Sequence, residues 1–108
     1  MKSPITTHVL DTSLGKPASG VFVHLHYLKV LDWKALGRGT TNADGRVTDL
    51  LPQNHVLEKG TYRLTFETKG FSAFFPEVEI TFLVENPAEH YHVPLLLSGH
   101  GYSTYRGS

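Results

Sequence analysis

The sequence predicts an all-β fold, a sandwich of short antiparallel strands. The first observation is length: 108 residues bury roughly 65% of the surface of the unfolded chain, which suits one core rather than two. The second is the alternation of apolar and polar residues, with the period of a strand, along most of the chain. The third is the regular spacing of turn residues between these segments. We therefore expect a single domain over residues 1–108.

The alternating segments predict the individual strands in order. They are residues 5–10, 21–28, 61–68, 78–84, 90–97 and 102–105, with residues 33–39 as a weaker candidate. Turn residues separate them at 14–17, 42–45, 59–60, 69–70 and 85–87. Helix signals are few: residues 71–75, between Gly70 and Pro76, are compatible with a turn or two of helix, and residues 50–57 are expected to form a loop.

Composition narrows the classes of function. Ten basic residues balance ten acidic ones, and no basic cluster supplies the attraction that drives binding to nucleic acid or an anionic membrane. The chain has no cysteine, which removes disulfides, thiolate nucleophiles and cysteine-ligated metals together. The first residues lack the apolar stretch of a signal peptide, and no segment approaches the ~18 apolar residues of a membrane span. These features predict a cytoplasmic protein with no nucleic-acid or membrane partner.

Seven histidines are the anomaly of the composition, because histidine titrates nearest to neutral pH. Strand alternation decides where they point. If Val9 is in the core, His8 lies on the opposite face of its strand, and if Val93 is in the core, His90 and His92 lie outside it. The outer face of that second strand is also half apolar. Such a face commonly packs on another subunit, so we expect an oligomer.

The other histidines suggest no metal site. His24 and His26 share one strand face, and a pair of imidazoles is compatible with a metal. A zinc site needs three or four ligands, however, and neither a cysteine nor a third histidine lies at a fixed spacing. We therefore expect His24 and His26 on a solvated outer face. His55 and His100 fall in loops without an evident partner.

The end of the chain alternates as well. Ser103 and Tyr105 are expected on one face, opposite Tyr102 and Thr104; alternatively this segment simply frays, as chain ends commonly do. The sequence has no Gly-x-Ser-x-Gly elbow and no phosphate-binding glycine loop, so any hydrolysis is expected to use an activated water. The residues alone lead to a β-sandwich with histidines on a face that packs against another subunit.

Five blocks of the sequence resemble the transthyretin-like family, in the same order and at family spacing. The first is Thr-His-Val-Leu-Asp at 7–11 with Gly-Lys-Pro-Ala at 15–18, and the next are Thr-Asn-Ala-Asp-Gly-Arg at 41–46 and Phe-Phe-Pro-Glu-Val at 74–78. The last two are His-Tyr-His-Val-Pro-Leu-Leu-Leu-Ser at 90–98 and the ending Tyr-Ser-Thr-Tyr-Arg-Gly-Ser at 102–108. This ending resembles the enzyme branch of the family, and the resemblance covers essentially the whole chain.

The resemblance implies a fold, an assembly and an activity. The fold is a sandwich of two four-stranded antiparallel sheets with one short helix. The assembly is a homotetramer with active sites in a channel at the dimer–dimer interface. The activity is hydrolysis of 5-hydroxyisourate, the product of urate oxidation, to 2-oxo-4-hydroxy-4-carboxy-5-ureidoimidazoline. The resemblance implies no cofactor and no metal.

The resemblance also implies the site residues. His8, Arg46 and His92 are expected to be catalytic, and His8, Arg46, Tyr105 and Ser108 are expected to bind substrate. One imidazole, His8 or His92, would act as general base to a water. Arg46 would orient the ring and stabilise the oxyanion. Tyr105 and Ser108 would close the substrate pocket.

Two other classes of function fit part of the sequence. A carrier of an aromatic ligand needs only an apolar channel, and an interaction domain needs no polar cluster, whereas the set of His8, Arg46 and the Tyr-Arg-Gly-Ser ending favours a hydrolase.

One departure from the family comes after Ser98. Where the family usually has proline and then an aromatic residue, this chain has Gly99 and His100. The change predicts a looser hairpin near the catalytic face, with His100 on the surface.

Overall fold

The computed structural model describes residues 3–108, and this part of the chain forms nine strands. In chain order they are β1 (Ile5–Asp11), β2 (Lys16–Pro17), β3 (Phe22–Lys29), β4 (Asp32–Thr40), β5 (Arg46–Val47), β6 (Gly60–Glu67), β7 (Glu77–Val84), β8 (Tyr91–Leu97) and β9 (Tyr102–Thr104). Every segment predicted from alternation is a strand, and the weaker candidate lies within β4. The two-residue strands β2 and β5 are additional, since each lies in or next to a segment predicted as a turn.

The strands form two sheets. The first has five strands in the order β2-β1-β8-β9, with β5 also paired to β1, and the second has four in the order β4-β3-β6-β7. The expectation of two four-stranded antiparallel sheets therefore needs two corrections. β2 and β5 pair with different halves of β1, which adds a fifth strand, and β1 runs parallel to β8. Alternation has the same period in parallel and antiparallel ladders and does not distinguish them.

The core lies between the two sheets and uses the apolar face of each strand. In β6 the buried side chains are Tyr62, Leu64 and Phe66, and in β8 they include Val93 and Leu95. Each side chain of this size contributes about 1.5–3 kcal/mol when it is fully buried. Because alternate residues of a strand point the other way, His92, which precedes Val93 in β8, faces outward.

Residues 71–75 do not form the turn or two of helix with which their sequence is compatible. The described part of the chain contains no helix, so it also lacks the one short helix of the fold that the family resemblance implies. The amide of Ser72 donates to the carbonyl of Thr68 at 2.9 Å, but the amide of Phe74 donates to Gly99 at 3.0 Å. A helix requires each amide to bond four residues back, so the bond to the neighbouring loop replaces the helical one. No helix in this part of the chain is long and apolar enough to cross a membrane. The cytoplasmic location stays a prediction.

The loop between β8 and β9 is closed by hydrogen bonds on two sides. The amide and hydroxyl of Ser98 donate to the carbonyl of Gly101 at 2.9 and 3.1 Å. The hydroxyl of Ser72 donates to the carbonyl of Gly99 at 3.0 Å. The backbone of this loop is therefore held although the usual proline is replaced, and His100 is exposed.

Candidate active site

The outward face of the first sheet brings most of the expected site residues together. His8 of β1 is the register partner of Arg46 in β5. Two residues earlier, Thr6 is the register partner of His92 in β8, and Gly107 is bridged to His92 on its other side. Register partners point to the same side of a sheet. These five residues therefore define one surface, which we call the site face.

A tight turn aims Arg46 at β1. The side-chain oxygen of Asn42 accepts the amide of Arg46 at 3.1 Å, and the amide of Gly45 donates to the carbonyl of Asn42 at 2.9 Å. Gly45 has a φ of 74°, and a Cβ at this position would collide with the carbonyl oxygen of Val9. Only glycine meets both conditions. The turn therefore sets Arg46 opposite His8.

The surroundings of His8 favour its neutral form. The side chain is half-buried. Burial lowers the pKa of His8 below its usual value, and the positive charge of Arg46 lowers it further. A hydrogen bond to the backbone of Asp44 and the negative charge of that residue act in the opposite direction and are weaker. His8 is therefore neutral at pH 7, the state in which an imidazole can accept a proton.

His92 is held between β1 and the C-terminal segment, residues 105–108. Its Nδ1 lies 2.8 Å from Oγ1 of Thr6, a residue that is only 2% exposed. At the other edge of the ring, a Cβ on Gly107 would lie 2.6 Å from Cδ2 of His92. The amide of Gly107 donates to the carbonyl of His92 at 2.8 Å. These contacts orient the ring so that Nε2 is the nitrogen directed away from Thr6.

Arg106 attaches the C-terminal segment to the start of β8. Its Nη2 donates to Oε1 of Glu89 at 2.9 Å and to the carbonyl of His90 at 3.3 Å. Its guanidinium also lies over the ring of Tyr91, 4.3 Å from the ring centroid. The hydrogen bond from Arg106 lowers the pKa of Glu89, which keeps this carboxylate ionised. The segment thereby lies against the edge of the first sheet.

Tyr105 follows directly on β9, which ends at Thr104. It is exposed and is one of the residues around a cavity of about 290 Å³, together with Tyr91 and Thr104. Beyond the end of β9, strand alternation no longer determines the direction of a side chain. The expectation that Ser103 and Tyr105 point the same way therefore stays a prediction.

The structure thus brings His8, Arg46 and His92 onto one face, with Ser108 beside it at the end of the chain. His8 and His92 are offset by one strand and two residues, which on ideal spacing separates their Cα atoms by roughly 8 Å. The contact between Thr6 and His92 was not predicted from the sequence. The sequence does place Thr6 on the site face, since it lies two residues before His8 and on the same strand face.

Three further histidines lie on two surfaces. His24 and His26 lie on the outer face of the second sheet, as expected, and Nε2 of His24 is 3.1 Å from Oε2 of Glu67. His90 lies beside the site face, with its Nε2 3.0 Å from Oγ1 of Thr6. Among the described residues, no group of three or more histidine or carboxylate side chains is arranged to hold a metal.

The sandwich and its site face define a transthyretin-like protein. Residues 5–107 match the HIUase/Transthyretin family, and the chain belongs to this family. Within it, the chain is 46% identical over 110 residues to a 5-hydroxyisourate hydrolase of Salmonella typhi, covering 96% of this chain and 80% of the relative. A 5-hydroxyisourate hydrolase of Mus musculus is 43% identical, covering 98% of this chain and 96% of the relative. One from Halalkalibacterium halodurans is 41% identical over the full length of both.

Solved structures share the fold. The structure of Klebsiella pneumoniae 5-hydroxyisourate hydrolase superposes with a TM-score of 0.81 at 36% identity, covering 96% of this chain and 98% of that one. Sea bream transthyretin in complex with thyroxine superposes with a TM-score of 0.87 at 27% identity, covering 96% and 94%. A hydrolase and a thyroxine-bound protein therefore have the same architecture, and function must be argued from the site.

Proposed function

We propose that this chain hydrolyses 5-hydroxyisourate to 2-oxo-4-hydroxy-4-carboxy-5-ureidoimidazoline in the degradation of urate. The observation that carries the proposal is the site face, where a neutral His8 faces Arg46 and a fixed His92 lies on the neighbouring strand. Relatives named as 5-hydroxyisourate hydrolases, at 41–46% identity, support the same substrate. The reaction opens the six-membered ring at a C–N amide bond.

Water is the nucleophile in this mechanism. One imidazole, His8 or His92, takes a proton from the water as its oxygen attacks the ring carbonyl. The C–N bond of the tetrahedral intermediate then breaks, and the imidazolium formed in the first step gives its proton to the departing nitrogen. The other imidazole, on the adjacent strand, donates a hydrogen bond to the ring. No cofactor takes part.

Arg46 stabilises the charge that develops on the carbonyl oxygen. Its guanidinium is permanently charged and offers parallel N–H donors to an oxygen-rich ring. Its positive charge also helps to keep His8 neutral, because it lowers the pKa of that imidazole. Loss of one such donor typically costs about 10²–10³ in turnover. A lysine retains the charge but not the paired donors.

A homotetramer completes the pocket, with active sites at the dimer–dimer interface. In one chain the site face is open: Arg46 is exposed, and Leu10 and Leu96 are half-buried beside the polar residues. A second copy packed on this face would cover these apolar side chains and exclude water from the substrate. In the assembly, Tyr105 and Ser108 close the substrate pocket.

The test is the ultraviolet decay of 5-hydroxyisourate made freshly by urate oxidase. We expect this protein to accelerate the decay far above the spontaneous rate. His92→Ala is expected to lose about 100-fold or more in turnover while the tetramer persists. His24→Ala, which removes an imidazole from the second sheet, is the matched control and keeps wild-type turnover. An unaccelerated decay rejects the proposal.

The competing candidate is a carrier of an aromatic ligand, which the likeness to thyroxine-bound sea bream transthyretin suggests. A carrier releases its ligand unchanged, whereas a hydrolase releases a product. Tight binding of thyroxine to the tetramer, measured by calorimetry, together with no turnover of 5-hydroxyisourate, would favour the carrier. The polar residues His8 and Arg46 on the site face favour the hydrolase, because an apolar channel needs neither.

A further inference from the structure

The hydroxyl of Thr6 lies between two imidazoles. Its Oγ1 is 2.8 Å from Nδ1 of His92 and 3.0 Å from Nε2 of His90. Thr6 is 2% exposed, so water does not compete readily for this oxygen. Both distances are those of ordinary hydrogen bonds. The three side chains therefore form a chain of hydrogen bonds that runs from the exposed His90 to the site face.

The number of available protons restricts how the hydrogen bonds among Thr6, His90 and His92 can be arranged. A threonine hydroxyl donates one proton, and a neutral imidazole donates from one nitrogen and accepts at the other. If the hydroxyl donates to His92, then His90 donates from Nε2 and His92 carries its own proton on Nε2. If the hydroxyl donates to His90, both imidazoles carry their protons on Nδ1. If both imidazoles donate, the hydroxyl proton is left without an acceptor, because the contacts of Thr6 Oγ1 among the described residues are with these two rings, and this is unfavourable for a buried donor. The first arrangement uses the more stable tautomer of histidine on both rings, and the second uses the less stable one on both.

We propose that Thr6 is a positioning residue that, together with His90, holds His92 in the tautomer with its proton on Nε2. The inference rests on the proposed function and assigns the roles of its two imidazoles. His92 keeps its proton and presents an N–H donor to the substrate, and His8 is the base that takes the proton of the attacking water. His8, then an imidazolium, returns that proton to the departing ring nitrogen, so the proton removed from water is the one delivered to the leaving group.

Contacts on either side of the chain of hydrogen bonds support this assignment. The carbonyl of His90 accepts from Arg106 at 3.3 Å, so the backbone of His90 is itself held. The packing of Gly107 on Cδ2 of His92 leaves the ring in a single orientation. On the other side of the substrate, His8 is held neutral by burial and by Arg46, which lower its pKa. The two histidines therefore sit in environments that favour opposite roles.

The first experiment reads the tautomer directly. Long-range ¹H–¹⁵N spectra of the wild-type tetramer at pH 7.5 distinguish a protonated from an unprotonated ring nitrogen. We expect His92 to have a protonated Nε2 and an unprotonated Nδ1. In Thr6→Val, which keeps the shape but not the hydroxyl, the signals of both nitrogens should move toward a mixture of tautomers. A wild-type His92 with its proton on Nδ1 overturns the proposal.

Kinetics supply the second readout. Thr6→Val is expected to lower kcat by about 10- to 100-fold, the range typical when a group that orients a histidine is lost, with KM changed by less than about twofold. Thr6→Ser restores the hydroxyl and most of kcat. Thr7→Val is the matched control, because Thr7 is equally buried in the same strand but bonds the carbonyl of Val93 on the core side. It lowers stability and leaves kcat near wild type.

The outcomes separate this inference from the proposed function. In one outcome the protein does not hydrolyse 5-hydroxyisourate, but His92 has its proton on Nε2 and becomes a mixture of tautomers in Thr6→Val. The proposed function is then wrong, and the role of Thr6 in fixing the ring stands. If turnover is fast but Thr6→Val and Thr7→Val lower kcat equally, Thr6 is only structural and the inference is wrong. If Thr6→Val does not fold, the proposal is tested by the wild-type spectrum and by the kcat of Thr6→Ser.

Discussion

His8 and Arg46 are register partners across the short antiparallel pair of β1 and β5. Burial lowers the pKa of His8, and the positive charge opposite it lowers that pKa further. The same guanidinium that would stabilise an oxyanion therefore keeps the neighbouring imidazole unprotonated. One pair of residues couples the two requirements of a water-activating site, a base in its neutral form and a cation beside the reacting oxygen.

Arg46→Ala separates these two effects. Removing the positive charge makes protonation of His8 easier, so the pKa of His8 rises toward its usual value of about 6.5. At a given pH near neutrality a larger fraction of His8 is then protonated and inactive as a base. We expect the acid limb of the kcat/KM profile to move to higher pH, and kcat/KM at its plateau to fall about 100-fold.

Arg46→Lys is the matched control for that change. It keeps the charge and therefore keeps the acid limb near its wild-type position, while the loss of paired donors lowers the plateau. The measurement is a pH–rate profile together with an NMR titration of the His8 ring. An unchanged His8 titration in Arg46→Ala would contradict the electrostatic coupling, whatever the loss in turnover.

Gly107→Ala tests the contact between the C-terminal segment and His92. The added Cβ would lie 2.6 Å from Cδ2 of His92 and 3.2 Å from Cγ of Pro94, so the ring or the segment must shift. A displacement of about 1 Å at a reacting group can cost about 100-fold in rate. We expect a loss of kcat of roughly 10- to 100-fold with the oligomeric state unchanged.

Gly99→Ala is the control for the alanine itself, because a Cβ at Gly99 meets no atom within 4 Å. Gly99 lies in the loop between β8 and β9, and the Gly99→Ala variant is expected to keep wild-type kcat. The kinetics of the two variants are compared at equal protein concentration, so that subunit association does not differ. Equal kcat in Gly107→Ala and Gly99→Ala would show that the close approach to His92 has no catalytic consequence.

Gly45→Ala tests the turn that directs Arg46. Gly45 and Gly15 have similar positive φ values of 74° and 68°, so alanine at either position carries a comparable backbone cost of about 1–2 kcal/mol. At Gly15 a Cβ meets nothing within 4 Å, whereas at Gly45 it meets the carbonyl of Val9 and Cβ of Pro17. We expect Gly45→Ala to lower the free energy of unfolding by clearly more than Gly15→Ala.

Activity gives that comparison its second readout. Gly45→Ala moves the start of β5 and with it Arg46, so turnover falls even where the protein remains folded, while Gly15→Ala keeps its turnover. Thermal unfolding at one fixed protein concentration measures the stability difference. Equal melting temperatures for the two variants would mean that the turn can relax away from Val9.

The long strands could be predicted from the sequence because burial of one face imposes a period of two. In β6, the buried Tyr62, Leu64 and Phe66 alternate with half-exposed residues, and this pattern needs no knowledge of the partner strand. The same reasoning placed His8 and His92 outside the core. Their meeting on one face depends on the parallel pairing of β1 with β8, which joins segments far apart in sequence and leaves no local signal.

Two features of the site depend on geometry that local patterns do not contain. Arg46 begins a strand of only two residues, β5, which is too short to show alternation and comes directly after turn residues. Tyr105 lies one residue beyond the end of β9, where the pleat no longer fixes its direction. The family resemblance indicates both as site residues, and it is the pairing of β5 with β1 that shows Arg46 on the site face.

Arg106 and Arg63 allow a paired test of how the C-terminal segment is held. Arg106 lies 4.3 Å over the ring of Tyr91 and donates to Glu89. Arg63, on the second sheet, lies 4.0 Å over the ring of Trp33 and is 3.9 Å from a carboxylate oxygen of Glu79. Exposed contacts of these kinds contribute little to stability, so alanine at either position should cost a similar, small amount.

Arg106→Ala and Arg63→Ala are expected to differ in their effect on the site face. Without Arg106, the segment loses its attachment to the start of β8, and the hydrogen bond from the amide of Gly107 to His92 opens more often. Amide hydrogen exchange at Gly107 should therefore quicken in Arg106→Ala and not in Arg63→Ala, and only Arg106→Ala should lose turnover. Because screening weakens exposed charge pairs, high salt should move the wild type part of the way toward Arg106→Ala. An exchange rate at Gly107 that is the same in all three proteins would mean that the strand contacts alone position the end of the chain.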